Sequence, residues 1–206
     1  HLYGIITRGM PVSVQFSDFR GFLEDFWWPY VEDVLDKDLI YVATKASAVE
    51  AVKYGTTTVV DILEAPYSLP NVLEVEERAL KEVGIRGYLS FEVTERAGEK
   101  VKDLALRENE NFIAKTLKED LVKGTMAIHT LFTLSLETVK KALEISRKYN
   151  AKIQLHLEEG DYEAIYTYVK YRKLPVEVYE DLGFLGKHVI AAQFVNTKES
   201  ALKILK

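Results

Sequence analysis

The chain has 206 residues, 48% of them hydrophobic and 29% charged, with no cysteine. That suffices for a globular core, and it excludes a disordered chain, a disulfide scaffold, thiolate zinc sites and a cysteine nucleophile. Lys and Arg number 27 against 32 Asp and Glu, a formal net charge of −5, which argues against a general nucleic-acid or anionic-membrane binder, since either needs a basic surface.

The N-terminus lacks a charged region followed by an apolar one, so it is not read as a secretory signal, and no apolar run of 18 residues suggests a membrane span. A cytoplasmic location is expected. Trp27-Trp28-Pro29-Tyr30 is an aromatic cluster that either lines a pocket for a planar substrate or packs into the core. Asp36-Lys37-Asp38 opens a helix that carries Leu39, Val42, Ala43, Ala46, Val49 and Val52 at helical spacing and stops at Gly55. Thr56 to Val60 is a β-branched run of strand length, closed by Asp61. A second helix spans 72–83, with Gly84 as its stop, and Gly87 to Val93 reads as the next strand. A long charged helix is expected over 100–122, then a strand over Thr125–His129. Ser135 is the N-cap candidate for a helix over 136–149, with Asn150 at its C-terminal end. Lys152–Leu157 is a strand, 161–172 and 175–182 are helices, Val189–Val195 is a strand, and a last helix starts near Lys198.

Helices between every pair of strands imply a parallel α/β fold. Five strands are visible, and the segment at His1 reads as the tail of a sixth. A closed (β/α)8 barrel usually needs ~250 residues, so the chain falls short of one by about two βα units. An open doubly wound sheet is the alternative, but no Gly-rich phosphate loop follows the first strand.

In such folds the chemistry sits at the C-terminal strand ends. His156 and Glu159 share the most polar one, Leu155-His156-Leu157-Glu158-Glu159. A neutral imidazole there can hold zinc or iron, and the carboxylate can move protons. The same residues also suit a hydrogen-bonded core histidine beside a solvated acidic loop. His129 ends another strand and is open to the same two readings, whereas His188 begins its strand and reads as surface. Asp61 is at the rim either as a functional carboxylate or as a loop cap.

Six stretches in register resemble the amidohydrolase superfamily, specifically its aminohydrolase/chlorohydrolase type and the SsnA-like branch. His1-Leu2-Tyr3-Gly4-Ile5-Ile6-Thr7-Arg8-Gly9 is similar to the HxHxxMxxxRG motif entered at its second histidine. Ala48–Asp61 resembles the helix-to-strand segment with "GTTT..D", and Gly84–Arg96 resembles the third strand and its loop. IHTLFTLSLET (128–138) resembles "LHASFTLSDET", HLEE (156–159) resembles HVAE, and LGFLG with AAQFVN (182–196) resembles "LGILG…AAHCVH".

The resemblance implies a TIM-like (β/α)8 barrel of the metal-dependent hydrolase type. Residues 1–206 would be its central part, with about six strands, and the flanking β-sandwich and last strands would lie outside. The first histidine of HxH would precede residue 1 and the strand-8 aspartate would follow residue 206. The resemblance makes His1 and His156 ligands of one divalent metal, zinc first and iron second. It makes Glu159 the acid/base, and His129 and Arg96 substrate contacts. The implied reaction is attack of a hydroxide on the metal at an amidine-like carbon of an amino-heterocycle, with loss of ammonia. The implied partner is a small-molecule substrate, with no nucleic acid and no membrane, and a homo-oligomer stays open. Gln193 stands where the family has a catalytic histidine, Asn196 replaces a second one, and Ile62-Leu63 replace a polar pair. A neutral Gln cannot take up a proton near neutral pH, so the alternative is a catalytically degenerate homologue that keeps a ligand pocket or a partner-binding role.

Overall fold

The computed structural model describes residues 1–13 and 15–205. A 3-10 helix (Leu2–Thr7) leads, by way of α1 (Phe19–Phe22), into a ten-residue π-helix (Leu23–Glu32). The aromatic cluster therefore lies inside a helix. Pro29 has no N–H to donate, and the wider winding, closed by Asp33 N–H donating to Trp28 O at 2.9 Å, accommodates it.

The alternation then follows: α2 (Lys37–Lys53), β1 (Thr58–Leu63), α3 (Leu73–Val83), β2 (Arg86–Val93), α4 (Glu99–Thr116), β3 (Val122–Gly124), β4 (Met126–Ile128), α5 (Leu136–Lys148), β5 (Ile153–Leu157), α6 (Asp161–Tyr171), α7 (Pro175–Asp181), β6 (Val189–Gln193) and α8 (Glu199–Ile204). The helix starts follow from capping chemistry. Asp36 accepts from Leu39 N–H at 2.7 Å, and Ser135 Oγ accepts from Thr138 N–H at 3.2 Å. Asn150 takes the left-handed conformation just after α5.

Three expectations are corrected. The first strand starts two residues later and runs on to Leu63, so Asp61 is interior to it and Ile62–Glu64 form the rim. The helix expected over 100–122 ends at Thr116, and a short strand, β3, takes its last residue. Thr116 Oγ1 donates to Phe112 O and accepts Gly124 N–H, both at 2.7 Å, which ties strand to helix. The approach is so close that a Cβ on Gly124 would lie 2.7 Å from the Ile113 backbone. His1 pairs with no strand; it caps the 3-10 helix, which is held to β1 by Leu2 N–H donating to Asp61 Oδ1 at 2.7 Å.

The strands are parallel in the order β1-β2-β4-β5-β6, with β3 also on β2. β3 and β4 are two halves of one strand position, interrupted at Thr125. Opposite that interruption Phe91, which pairs with Leu63 on its β1 side, has no strand partner on the other, and the buried Asn109 of α4 takes its place. Its Oδ1 accepts Phe91 N–H at 2.8 Å and its Nδ2 donates to Phe91 O at 2.7 Å. The sheet is curled: Gln154 Nε2 on β5 reaches Asp61 O on β1 at 2.8 Å, although β2 and β4 lie between. The outer face, including Leu89, Phe91, Val93, Ile128 and Leu155, packs against the helices as the apolar core. The inner face is polar, with Ser90, Thr125 and Gln154 as a hydrogen-bonded floor beneath the strand ends.

Candidate metal centre

The ends of β4 and β5, with the start of the 3-10 helix, bring three of the four histidines together. The His1 and His156 ring centroids are 5.0 Å apart, and those of His129 and His156 are 5.6 Å apart. Each imidazole has its Nδ1 engaged. His1 Nδ1 donates to Ile62 O at 2.6 Å and His156 Nδ1 to Gln193 Oε1 at 2.7 Å, both acceptors only. Thr133 donates its hydroxyl to Thr130 O, so its lone pair accepts His129 Nδ1–H at 2.9 Å. In all three rings Nε2 is the nitrogen left to act as a ligand or hydrogen-bond partner, an orientation that ligating histidines commonly use. His188 lies away from this group, half-buried rather than on the surface.

Gln193 reaches His156 by a route that strand alternation does not supply. The register pairs His156 with Ala192 and Leu157 with Gln193, so a regular strand would aim Gln193 towards the helices. Gln193 and Phe194 instead have φ of 63° and 53°, which ends β6 and turns the amide to the rim. The strand expected to reach Val195 stops there. Asn196 Nδ2 donates to Glu159 O at 2.8 Å and fixes the loop that carries Glu159. Burial raises the Glu159 carboxyl above its ordinary value.

Glu92 on β2 faces the same space, its Oε1 3.0 Å from His156 Nε2. Burial lowers the imidazole's affinity for a proton, but the Glu92 charge outweighs it and lifts His156 to about 9. Burial raises Glu92 in turn. At the low pH where it titrates, the charged His129 and His156 prevail and hold it well below the carboxylate range. Burial lowers His129 to about 4, so it is neutral near pH 7.

Glu92, Glu64 and Glu32 form a buried group whose ligand atoms lie within 4.8 Å of one another. Glu32 accepts from Tyr3 Oη at 2.7 Å, Trp27 Nε1 at 2.6 Å and Arg96 at 3.1 Å. Burial, then the Glu92 charge, raises Glu32 to about 7; burial with both neighbouring carboxylates raises Glu64 well above its usual value. Arg96 spends its guanidinium on Glu32, Glu64 and Asp33 and lies over the Trp28 ring, 5.0 Å from its centroid. It borders a neighbouring cleft of about 350 Å³. The histidine side is a cavity of about 230 Å³ lined by His1, His129, His156, Glu92, Glu159 and Gln193, with Phe19, Phe22, Trp27 and Trp28 as its aromatic wall. The tryptophans thus take the pocket-lining alternative.

Sequence reasoning did not single out Glu92, Glu32 or Glu64. The available signal was the polar alternation of Ser90, Glu92 and Thr94 inside an otherwise apolar strand. Asp61 is buried behind the rim, where it holds the Leu2 amide. The rim's donor set suits a divalent ion of borderline softness, since two imidazoles offer Nε2 beside carboxylate oxygens.

A profile of the amidohydrolase family matches residues 1–206. A 5'-deoxyadenosine deaminase of Methanothrix thermoacetophila is 31% identical over 206 residues, covering 100% of this chain and 46% of the relative. A 5-methylthioadenosine/S-adenosylhomocysteine deaminase of Pyrococcus abyssi is 30% identical over 192 residues, 91% of this chain and 42% of the relative. The chain thus spans about half the length of the curated relatives it matches. In fold it is similar to a zinc-bound adenosine deaminase from Xanthomonas campestris (TM-score 0.85, 16% identity, 99% of this chain and 45% of that one). It is also similar to a guanine deaminase from C. acetobutylicum with bound guanine (TM-score 0.79, 18% identity, 91% and 46%).

Proposed function

The chain belongs to the amidohydrolase family, and from that premise we propose that residues 1–206 are the central part of one barrel of a metal-dependent aminohydrolase acting on an amino-heterocycle. The observation that carries this reading is the pair His1 and His156, each tied through Nδ1 to a carbonyl oxygen, with Glu159 on the same cavity. His1 and His156 would hold one divalent ion, zinc by ligand chemistry with iron as the second choice. When bound, such an ion lowers the pKa of a coordinated water towards neutrality.

This chain's residues do the rest. Glu159, raised by burial, takes a proton from the attacking water and delivers it to the leaving nitrogen. Gln193 holds His156 in one tautomer and cannot itself carry a proton. Neutral His129 offers its Nε2 to a polar atom of the substrate. The Trp27 and Trp28 side excludes water from a planar ring. Arg96 meets the distal part of the substrate from the adjoining cleft while neutralising Glu32 and Glu64.

The test is ammonia release by the full-length, zinc-loaded protein from adenosine, 5'-deoxyadenosine, guanine and cytosine. Turnover that disappears in His156→Asn supports the reading; equal turnover in metal-free protein and in His156→Asn refutes it. A second reading rests on Gln193, a neutral amide where a proton carrier is expected. On it the pocket binds ligand without turnover, and zinc-loaded protein releases no ammonia from any of the four.

A further inference from the structure

We propose that Glu163 is a positioning residue for the reaction, one buried carboxyl group that sets both the acid/base Glu159 and the substrate contact His129. The inference rests on the aminohydrolase reading above and adds to it a residue that lines neither the cavity nor the adjoining cleft.

Glu163 is the third residue of α6 and is 2% exposed. A glutamate at that helix position ordinarily reaches back to the N–H of the cap residue, which is Gly160 here. Glu163 reaches past it to two loops. Its Oε2 accepts Glu158 N–H at 2.7 Å, and its Oε1 accepts Leu131 N–H at 3.2 Å. Both oxygens are spent on the backbone that follows β5 and β4, and capping α6 requires neither bond.

On the β5 side the bond holds an unfavourable backbone in place. Glu158 has φ of 50°, a left-handed conformation that residues with a Cβ rarely adopt. Its N–H is held by Glu163, and its C=O accepts Val195 N–H at 3.2 Å and Asn196 N–H at 2.9 Å. Glu159 follows directly, so it borders the cavity from a backbone pinned on both sides.

On the β4 side the bond acts through a single peptide unit, the one that joins Thr130 to Leu131. Its N–H donates to Glu163, and its C=O accepts the Thr133 hydroxyl at 3.1 Å. That leaves the Thr133 lone pair for His129 Nδ1–H at 2.9 Å, which keeps Nε2 for the substrate. A peptide that turned away from Glu163 would take the Thr133 hydroxyl with it and release His129.

The experiment combines three measurements on the full-length, zinc-loaded protein. They are steady-state kinetics on whichever of the four substrates the parent turns over, amide hydrogen exchange at Glu158 and Leu131, and zinc affinity by chelator competition. Glu163→Gln keeps one acceptor oxygen and turns an NH2 towards the other N–H, so at least one of the two amides should exchange about tenfold faster. The kinetic change should follow the amide released. Release of Glu158 should lower kcat about 10–100-fold through a misplaced Glu159, and release of Leu131 should raise KM through His129. Glu163→Asp, kept for the case that the amide variant does not fold, withdraws both oxygens by one methylene and should lower kcat and raise KM together. Zinc affinity should stay at the parent's value in both variants, because Ile62 and Gln193 hold His1 and His156. Faster exchange with unchanged kcat and KM, parental exchange at both amides, or zinc affinity that falls in step with kcat would overturn the inference, the last by showing general loosening of the fold. The parent is active in each of those outcomes, so the aminohydrolase reading survives them; a parent that releases no ammonia removes that reading and the positioning role with it.

Discussion

Replacing Asn109 probes how the fold places Glu92. At the interruption between β3 and β4, the Asn109 amide pairs both the N–H and the C=O of Phe91, at 2.8 and 2.7 Å, inside a fully buried environment. Asn109→Ala leaves two buried backbone groups unpaired, each costing about 1–3 kcal/mol, so the expected loss is roughly 2–6 kcal/mol. That is a large part of the ~5–15 kcal/mol that holds a typical domain together. Asn109→Leu fills the volume but restores neither hydrogen bond, and the account expects it to remain nearly as destabilised. The assay is urea denaturation of the full-length protein, read as a shift in midpoint at unchanged slope, together with hydrogen exchange at the Phe91 amide. Recovery of parental stability by Asn109→Leu would mean that the loss was only a cavity, and the argument from backbone pairing would be refuted.

Gly124→Ala forces a Cβ to within 2.7 Å of the Ile113 backbone and should cost about 1–3 kcal/mol through displacement of β3 from α4, measured by thermal or urea unfolding. Gln193→Ala removes the acceptor of His156 Nδ1 and should weaken zinc binding about 10–100-fold, as the loss of such supporting bonds does, measured by chelator competition. Glu163 is raised to about 7 by burial, against the backbone N–H groups of Glu158 and Leu131 that it accepts. Its folded pKa is above the unfolded value of about 4.3, so its contribution is complete below that pH and is lost as pH rises through about 7. The difference in pH–stability profile between parent and Glu163→Gln should therefore amount to about 4 kcal/mol across that window; parallel profiles would contradict it.

The βα alternation was legible because apolar periodicity, Gly stops and caps such as Asp36 and Ser135 are local signals, and the structure follows them to within a few residues. The π-helix over the tryptophans was not, because Pro29 reads as a breaker and π winding has no sequence period of its own. β3 was hidden because three residues beside a charged run carry no alternation, and its existence depends on contacts from Thr116 and Gly124. At the rim, His1, His129 and His156 were legible as polar residues in family-like stretches, and they do converge. Gln193 reaches the rim and His156 only because the left-handed turn at the end of β6 overrides alternation, a backbone feature the strand pattern does not carry. Glu64 meets Glu92 through the β1–β2 register and Glu32 reaches both from the π-helix, tertiary relations between segments far apart in the chain.

The most direct measurement is an anomalous-difference map at the zinc edge from crystals of the full-length protein grown with zinc. The account predicts a peak about 2.0–2.1 Å from the Nε2 atoms of His1 and His156, the normal zinc–imidazole distance, on the cavity that Glu159 borders. A fully zinc-exposed crystal with no peak between these two imidazoles would contradict it.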